Sequence, residues 1–308
     1  MPFRLGSLFS ITPKVGVRGT FYSKGSRLKK IVEDSFVREL VDLGIVLEGP
    51  KIEKVFSFGK DDKSIFKHII EPRVFYDFIP DIDEADRFKI RVFDFVDGIG
   101  HTNKVKFSLI QRLFMKNNAD GESNTSQRLR FEISQSYDFV EAERASTPAD
   151  PSQPFSNLRF DMDSRIFKSF LLNFDAEFNP YRGVFTTVNF EVGVKPTDWM
   201  SLIVDRREIL NGSKFLLASL DLQFKKGWRF QVSSRYDERR EAFQENNVSI
   251  LYSDKCKCWG FGLDFIRRNN IIDGIREIEN KFLFTIELRG IGSIRTGGKN
   301  DFIHRTFK

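Results

Sequence analysis

No apolar run of even 18 residues occurs in this chain of 308 residues, which excludes a membrane-crossing helix, since spanning the hydrocarbon core takes about 20 such residues. A membrane β-barrel is not excluded, because its strands turn only every second residue to lipid and average out as moderately polar. Histidine is scarce, with His68, His101 and His304 scattered along the chain. No glycine-rich phosphate loop follows a strand pattern, and neither a nucleophile elbow nor a paired-histidine zinc helix is present. The chain therefore reads as no enzyme and calls for no cofactor. A basic patch is also missing: the net charge is +6, yet Lys and Arg are interleaved with Asp and Glu throughout, which argues against a nucleic-acid partner. Strand-like sequence follows Met1-Pro2-Phe3-Arg4-Leu5 at once, so this start does not read as a basic leader with an apolar stretch and a small-residue cleavage site.

What is abundant is alternation with a period of two. Leu129, Phe131, Ile133, Tyr137 and Phe139 share one face of residues 127–139, and Arg128, Arg130, Glu132, Ser134, Ser136 and Asp138 the other. Phe170, Leu172, Phe174, Ala176 and Phe178 repeat the pattern, as do Val188, Phe190, Val192 and Val194, and Trp228, Phe230, Val232 and Tyr236. Toward the end, Phe282, Phe284, Ile286 and Leu288 oppose Thr285, Glu287 and Arg289. Counting such segments gives about 14 strands. In the C-terminal half, tight connections at residues 195–198, 225–227 and 253–259 alternate with longer polar ones at 207–213, 237–245 and 267–278. Short turns on one side and longer loops on the other are what outer-membrane barrels show, and by that count the cysteine stretch faces the periplasm. Residues 117–126 and 141–156 both read as long and break the rule. Matching strand patterns on either side make Ala142–Pro154 a surface loop rather than a linker, so residues 1–308 read as one domain.

Cys256 and Cys258, the only two cysteines, sit between two strand patterns at spacing i, i+2. That spacing rarely suits a mutual disulfide, so bridges to another segment are one reading and inert thiols the other. As metal ligands they lack two further Cys or His at a suitable spacing. Asp81-Ile82-Asp83-Glu84-Ala85-Asp86 is the densest acidic cluster and reads as a solvated loop rather than a cation site.

A strand with one charged and one apolar face fits a barrel wide enough for a wet lumen, and spanning also demands closure, because an open edge in hydrocarbon leaves backbone groups unpaired. The soluble alternative is a sandwich or lipocalin-like barrel with the apolar face inward. Aromatics at strand ends, among them Tyr137, Trp199, Trp228, Tyr236, Tyr252 and Trp259, suit interfacial girdles.

Four stretches then carry a family resemblance: Lys67-His68-Ile69-Ile70-Glu71-Pro72-Arg73-Val74-Phe75-Tyr76-Asp77-Phe78-Ile79-Pro80, Asp97-Gly98-Ile99-Gly100-His101-Thr102-Asn103-Lys104-Val105, Cys256 to Trp259, and Leu288-Arg289-Gly290-Ile291-Gly292. Together they resemble the C-terminal barrel of the LptD family of lipopolysaccharide-assembly proteins, over roughly residues 5–295. The resemblance implies an all-β, antiparallel outer-membrane β-barrel, of which this chain is a C-terminal part lacking the family's N-terminal jellyroll and first strands. It also implies lipopolysaccharide as the cargo, inserted into the outer leaflet through the lumen and a lateral opening. The implied partners are an LptE-like lipoprotein plug, periplasmic lipopolysaccharide bridge proteins and outer-membrane lipids. Cys256 and Cys258 take the position of the family's cysteine pair, which is tied to the N-terminal domain, although Lys257 separates them where the family has adjacent cysteines. Phe282, Phe284, Ile286 and Leu288 fall on the strand that would flank the lateral opening. The alternatives are a generic outer-membrane porin or uptake channel and a soluble β-rich binding protein.

Overall fold

In the computed structural model, the described residues are 2–6, 8–27, 30–32, 35–58, 64–81, 90, 97–119, 122–167, 169–256, 258–272, 275–288 and 292–295. They form nineteen strands, one short α-helix and one 3-10 turn at Lys225–Gly227. The strands of the N-terminal half are β1 (Phe3–Leu5), β2 (Phe9–Tyr22), β3 (Gly25–Arg27), β4 (Lys30–Val32), β5 (Phe36–Glu48), β6 (Ile52–Phe58), β7 (Ser64–Ile79), β8 (Thr102–Ala119) and β9 (Glu122–Asp138), followed by helix α1 (Phe139–Glu143). Then come β10 (Leu158–Phe167), β11 (Phe170–Asn179), β12 (Val184–Thr197), β13 (Met200–Ile209), β14 (Lys214–Gln223), β15 (Trp228–Asp237), β16 (Ala242–Ser253), β17 (Trp259–Ile272), β18 (Ile275–Leu288) and β19 (Gly292–Arg295). The count exceeds the expected fourteen partly because β1, β3, β4 and β19 hold three or four residues each, too few to show an alternation.

The chain divides into two compact units, residues 1–162 with 176–186 and residues 163–175 with 187–308. In the first, β2 pairs antiparallel with β1 and β5, and β7 pairs with β5, β6 and β8, which in turn pairs with β9. β5 and β6 lie end to end against β7, at Leu43–Glu48 and Ile52–Phe58. Pro72 on β7 stands opposite the gap between them, where a missing ladder donor costs least, and its carbonyl accepts from Gly49 N at 2.9 Å. In the second unit, β12 to β19 form an antiparallel meander in which each strand pairs with the next.

Several stretches expected as loops are strand. β13 continues to Ile209, β15 to Asp237 and β17 to Ile272, while 117–126 is mostly the ends of β8 and β9. Their polar side chains are held by cross-strand ion pairs, as where Arg268 meets Glu245 at 2.6 Å, so charge there did not signal a loop. The remaining connections, residues 210–213 and 238–241 against 198–199, 224–227 and 254–258, no longer differ systematically in length. Loop length therefore does not tell which membrane side the cysteine turn faces.

Burial fixes which face is which. Among the described residues the buried set holds five apolar side chains, Leu40, Ile110, Leu171, Ala176 and Ile266, and nine polar or charged ones, including Arg38, Glu71, Asp205, Ser249 and Asp264. Val17, Val41, Phe107, Leu263 and Phe282 are exposed instead. An apolar-inward soluble sheet would show the reverse, so the soluble alternative is not the arrangement found.

Candidate functional site

The buried face of the first unit is an ion network assembled by the break between β5 and β6. The break brings Lys51 and Glu48 beside β7, where Glu71 is 7% exposed and meets Lys51 at 3.2 Å, Arg73 at 3.4 Å and Arg112 of β8 at 3.4 Å. Arg73 also reaches Glu48 at 3.2 Å. One strand further, Glu132 accepts from Ser108 at 2.7 Å and pairs with Arg130, whose other nitrogen donates to Asp161 at 2.6 Å. Each carboxylate of the network meets cations on its own strand or on its neighbours, so its buried charge is compensated.

At the end of these strands near Tyr22, residues 97–100 are held by β2 and β5. The buried guanidinium of Arg38 donates to the carbonyls of Asp97, at 3.1 Å, and Ile99, and Tyr22 donates to Asp97 Oδ1 at 2.7 Å. The sequence marked Asp97-Gly98-Ile99 but not its holder. Arg38 is one of many charged residues in an alternating strand, and its partner lies 59 residues away.

The long connection after β9 is ordered by its own polar groups. Asp138 caps α1, accepting from Val140 N at 3.0 Å and Glu141 N at 3.3 Å. Phe139, expected on the strand's apolar face, is instead the first helical residue. Arg144 forks between Glu141, at 2.8 Å, and Asp150, at 2.6 Å, and Gln153 N donates to Glu141 at 3.1 Å. Arg144, followed by the Gln153 amide, holds the Glu141 carboxyl below the usual carboxylate range. Glu238, in the turn after β15, is lowered likewise, chiefly by its hydrogen bond from Arg206.

In the second unit the buried face is again polar: Ser249 donates to Asp264 at 2.6 Å, Arg207 pairs with Asp205 at 3.1 Å, and Arg229 pairs with Asp221. The exposed face carries a band of apolar rows in register. Leu202, Leu220, Val232, Val248, Phe265 and Phe282 make one row across β13 to β18. Trp228, Tyr252, Trp259 and Phe261 cluster at one margin, with Trp228 and Tyr252 centroids 4.9 Å apart, and Tyr236 and Phe243 meet at the other, 5.1 Å apart. Tyr236 lies eight positions after Trp228 along β15, about 26 Å of strand; tilt shortens this toward the apolar band of about 25 Å that outer-membrane barrels present.

The cysteine turn adjoins the tryptophan margin. Asp254 N donates to the Trp259 carbonyl at 3.1 Å and Asp254 Oδ1 accepts from Lys255 N at 2.7 Å. Gly227, with φ of 86°, packs against the Ser253 carbonyl so closely that a Cβ would overlap it. Cys256 and Cys258 are bonded to each other, with Cα atoms 5.2 Å apart. The spacing argument against a mutual bridge therefore fails here: the turn itself supplies the approach.

The four residues expected on the last long strand lie together on the exposed face of β18: Phe282 at 79%, Phe284, Ile286 and Leu288. β18 pairs along its whole length with β17, but with β19 only from Thr285 to Leu288. Of the acidic cluster, residues 82–86 lie outside the described residues, as does His304. Among the described residues no three His, Cys, Asp or Glu side chains are grouped to hold a metal ion.

Comparison with known proteins bears on all of this. The family model LptD, described as LPS transport system D, matches residues 1–207, which include the 67–80 and 97–105 stretches but stop before the cysteine turn and β18. The LPS-assembly protein LptD of Cupriavidus necator is 24% identical over 259 residues, covering 76% of this chain and 29% of that protein. The chain thus spans under a third of that relative's length. Among solved structures, a triple mutant of the Rhodopseudomonas blastica porin is similar at 9% identity and a TM-score of 0.37, covering 94% of this chain and 95% of the porin. A chain of the FpvAI–pyocin S2 complex is similar at 8% identity and a TM-score of 0.30, covering 92% of this chain and 56% of that one. TM-scores this low do not establish a shared fold.

Proposed function

The chain belongs to the LptD family of outer-membrane β-barrel proteins, and from that premise we propose that it is the C-terminal barrel part of a translocon inserting lipopolysaccharide into the outer leaflet. Residues 1–308 act in this reading as one barrel domain. The observation that carries it is the pairing of faces on the same strands: Ser249, Asp264 and Arg268 on one, Trp259, Leu263 and Phe265 on the other. A molecule with a charged glycan head and several acyl chains needs both, a wet path for the head and an apolar route for the chains. A lateral opening beside β18 serves that need, with Phe282, Phe284, Ile286 and Leu288 meeting the acyl chains as they leave. An LptE-like lipoprotein plug and the periplasmic bridge proteins are the partners that delivery requires.

Cys256 and Cys258 serve as the attachment to the N-terminal domain of the complete protein. A thiolate of the N-terminal domain attacking their mutual bond forms one mixed disulfide and releases the other sulfur as a thiolate, which forms the second bridge by attacking a disulfide already present in that domain. A photo-reactive residue placed at Phe282 in the complete protein tests the route. Lipopolysaccharide captured there, and not from Thr285 on the opposite face, supports it; capture from neither position contradicts it.

A further inference from the structure

Arg206 and Arg267 both stand on the exposed face of the second unit, and they differ in their company. Arg206 on β13 is neutralised by its neighbours, pairing with Glu208 at 2.9 Å and Glu238 at 3.0 Å, and it also lies over the Phe190 ring. Arg267 on β17 is exposed and makes no ion pair or hydrogen bond among the described residues. Its register partners are Asn246 on β16 and Asn280 on β18, which places three donor-bearing side chains in a row with Cβ atoms about 5 Å apart between neighbours. The nearest residues on the same face, Val248, Phe265, Asn269, Ile278 and Phe282, carry no charge. Phe265 and Phe282 of the apolar band adjoin the row on one side and Ile278 on the other.

A guanidinium on an apolar face, flanked by amides and with no carboxylate beside it among the described residues, has the charge and donors for a phosphate whose acyl chains lie along that band. We propose that Arg267, with Asn246 and Asn280, forms an external binding row for the phosphate of an anionic lipid in the surrounding leaflet. Phe265 and Phe282 then contact the first acyl carbons, while Arg206, already paired with carboxylates, takes no lipid. This inference rests on the exposed face meeting lipid and not on lipopolysaccharide passage.

The test places the full chain in phosphatidylcholine bicelles containing a fixed fraction of phosphatidylglycerol and counts the lipids retained, by native mass spectrometry. Arg267→Gln should lower phosphatidylglycerol retention about tenfold, the loss of one charge-assisted contact, with phosphatidylcholine unchanged; Arg206→Gln should leave both unchanged. Wild-type retention in Arg267→Gln, or an equal fall in Arg206→Gln, would overturn the assignment. So would displacement of phosphatidylglycerol by millimolar inorganic phosphate, which would mark a free-anion site. Retention is read without transport, so a failure of the translocon reading leaves the result standing.

Discussion

The two faces of β17 are unlike environments built from neighbouring residues. Trp259, Phe261, Leu263 and Phe265 lie on the exposed side, with Leu263 half exposed, while Gly260, Gly262, Asp264 and Ile266 are buried. A soluble sheet of the same periodicity would reverse the assignment. The difference teaches that polar satisfaction, not apolar packing, governs the buried face: Asp264 has Ser249, Glu71 has three cations, and Glu132 has Ser108 and Arg130.

The sharpest way to break that contrast is a charge on the wrong side. Leu263→Arg should destabilise the chain by about 2–4 kcal/mol in lipid vesicles, measured by reversible denaturant unfolding, and cost little in detergent-free denaturant controls of the unfolded chain. If it cost nothing in vesicles, the exposed face would not be in hydrocarbon. On the opposite face, Asp264→Ala leaves the Ser249 hydroxyl buried without its acceptor, and the expected loss in the same assay is about 1–3 kcal/mol. Ser249→Ala combined with Asp264→Ala should recover part of it, because both partners are then gone.

Much of this was legible in the sequence, and the limit is specific. The alternation in residues 127–139, as far as Asp138, and in 228–236 marked strands correctly, since β-branched and aromatic residues at period two leave little else. Which side faced inward was not legible, because a period of two is the same read from either face; it needed the burial of Asp264 and the exposure of Leu263. The ends of β13 and β17 were misread as loops because Glu208 and Arg268 look solvated until their cross-strand partners, Lys214 and Glu245, are known. The bond between Cys256 and Cys258 depends on the turn at Asp254–Cys258, whose shape the spacing does not specify.

Smaller effects sharpen the comparison at the margins. Gly227→Ala forces a left-handed backbone and an overlap with the Ser253 carbonyl, so it should cost at least about 1 kcal/mol and raise hydrogen exchange in the cysteine turn, while Gly183→Ala, also at positive φ but with open space around it, should cost less. The smallest effect is a pH dependence of the loop after β9. Because the folded Glu141 carboxyl is held below its ordinary value of 4.5, its contribution is full above that value and is lost as pH falls through the lowered one. Protection of the Gln153 amide, corrected for intrinsic exchange, should therefore decline with acid in the wild type. In Glu141→Gln it should be low and flat over the same range.

The account stands on which face meets lipid, and the most direct measurement is site-directed spin labelling at residues 281, 282, 283 and 284 in turn, with Cys256→Ser and Cys258→Ser and the chain in lipid bilayers. Accessibility to oxygen should peak at Phe282 and Phe284, and accessibility to a water-soluble nickel chelate at Lys281 and Leu283. Peaks in the opposite phase, or nickel accessibility at all four positions, would contradict a membrane-facing outer band.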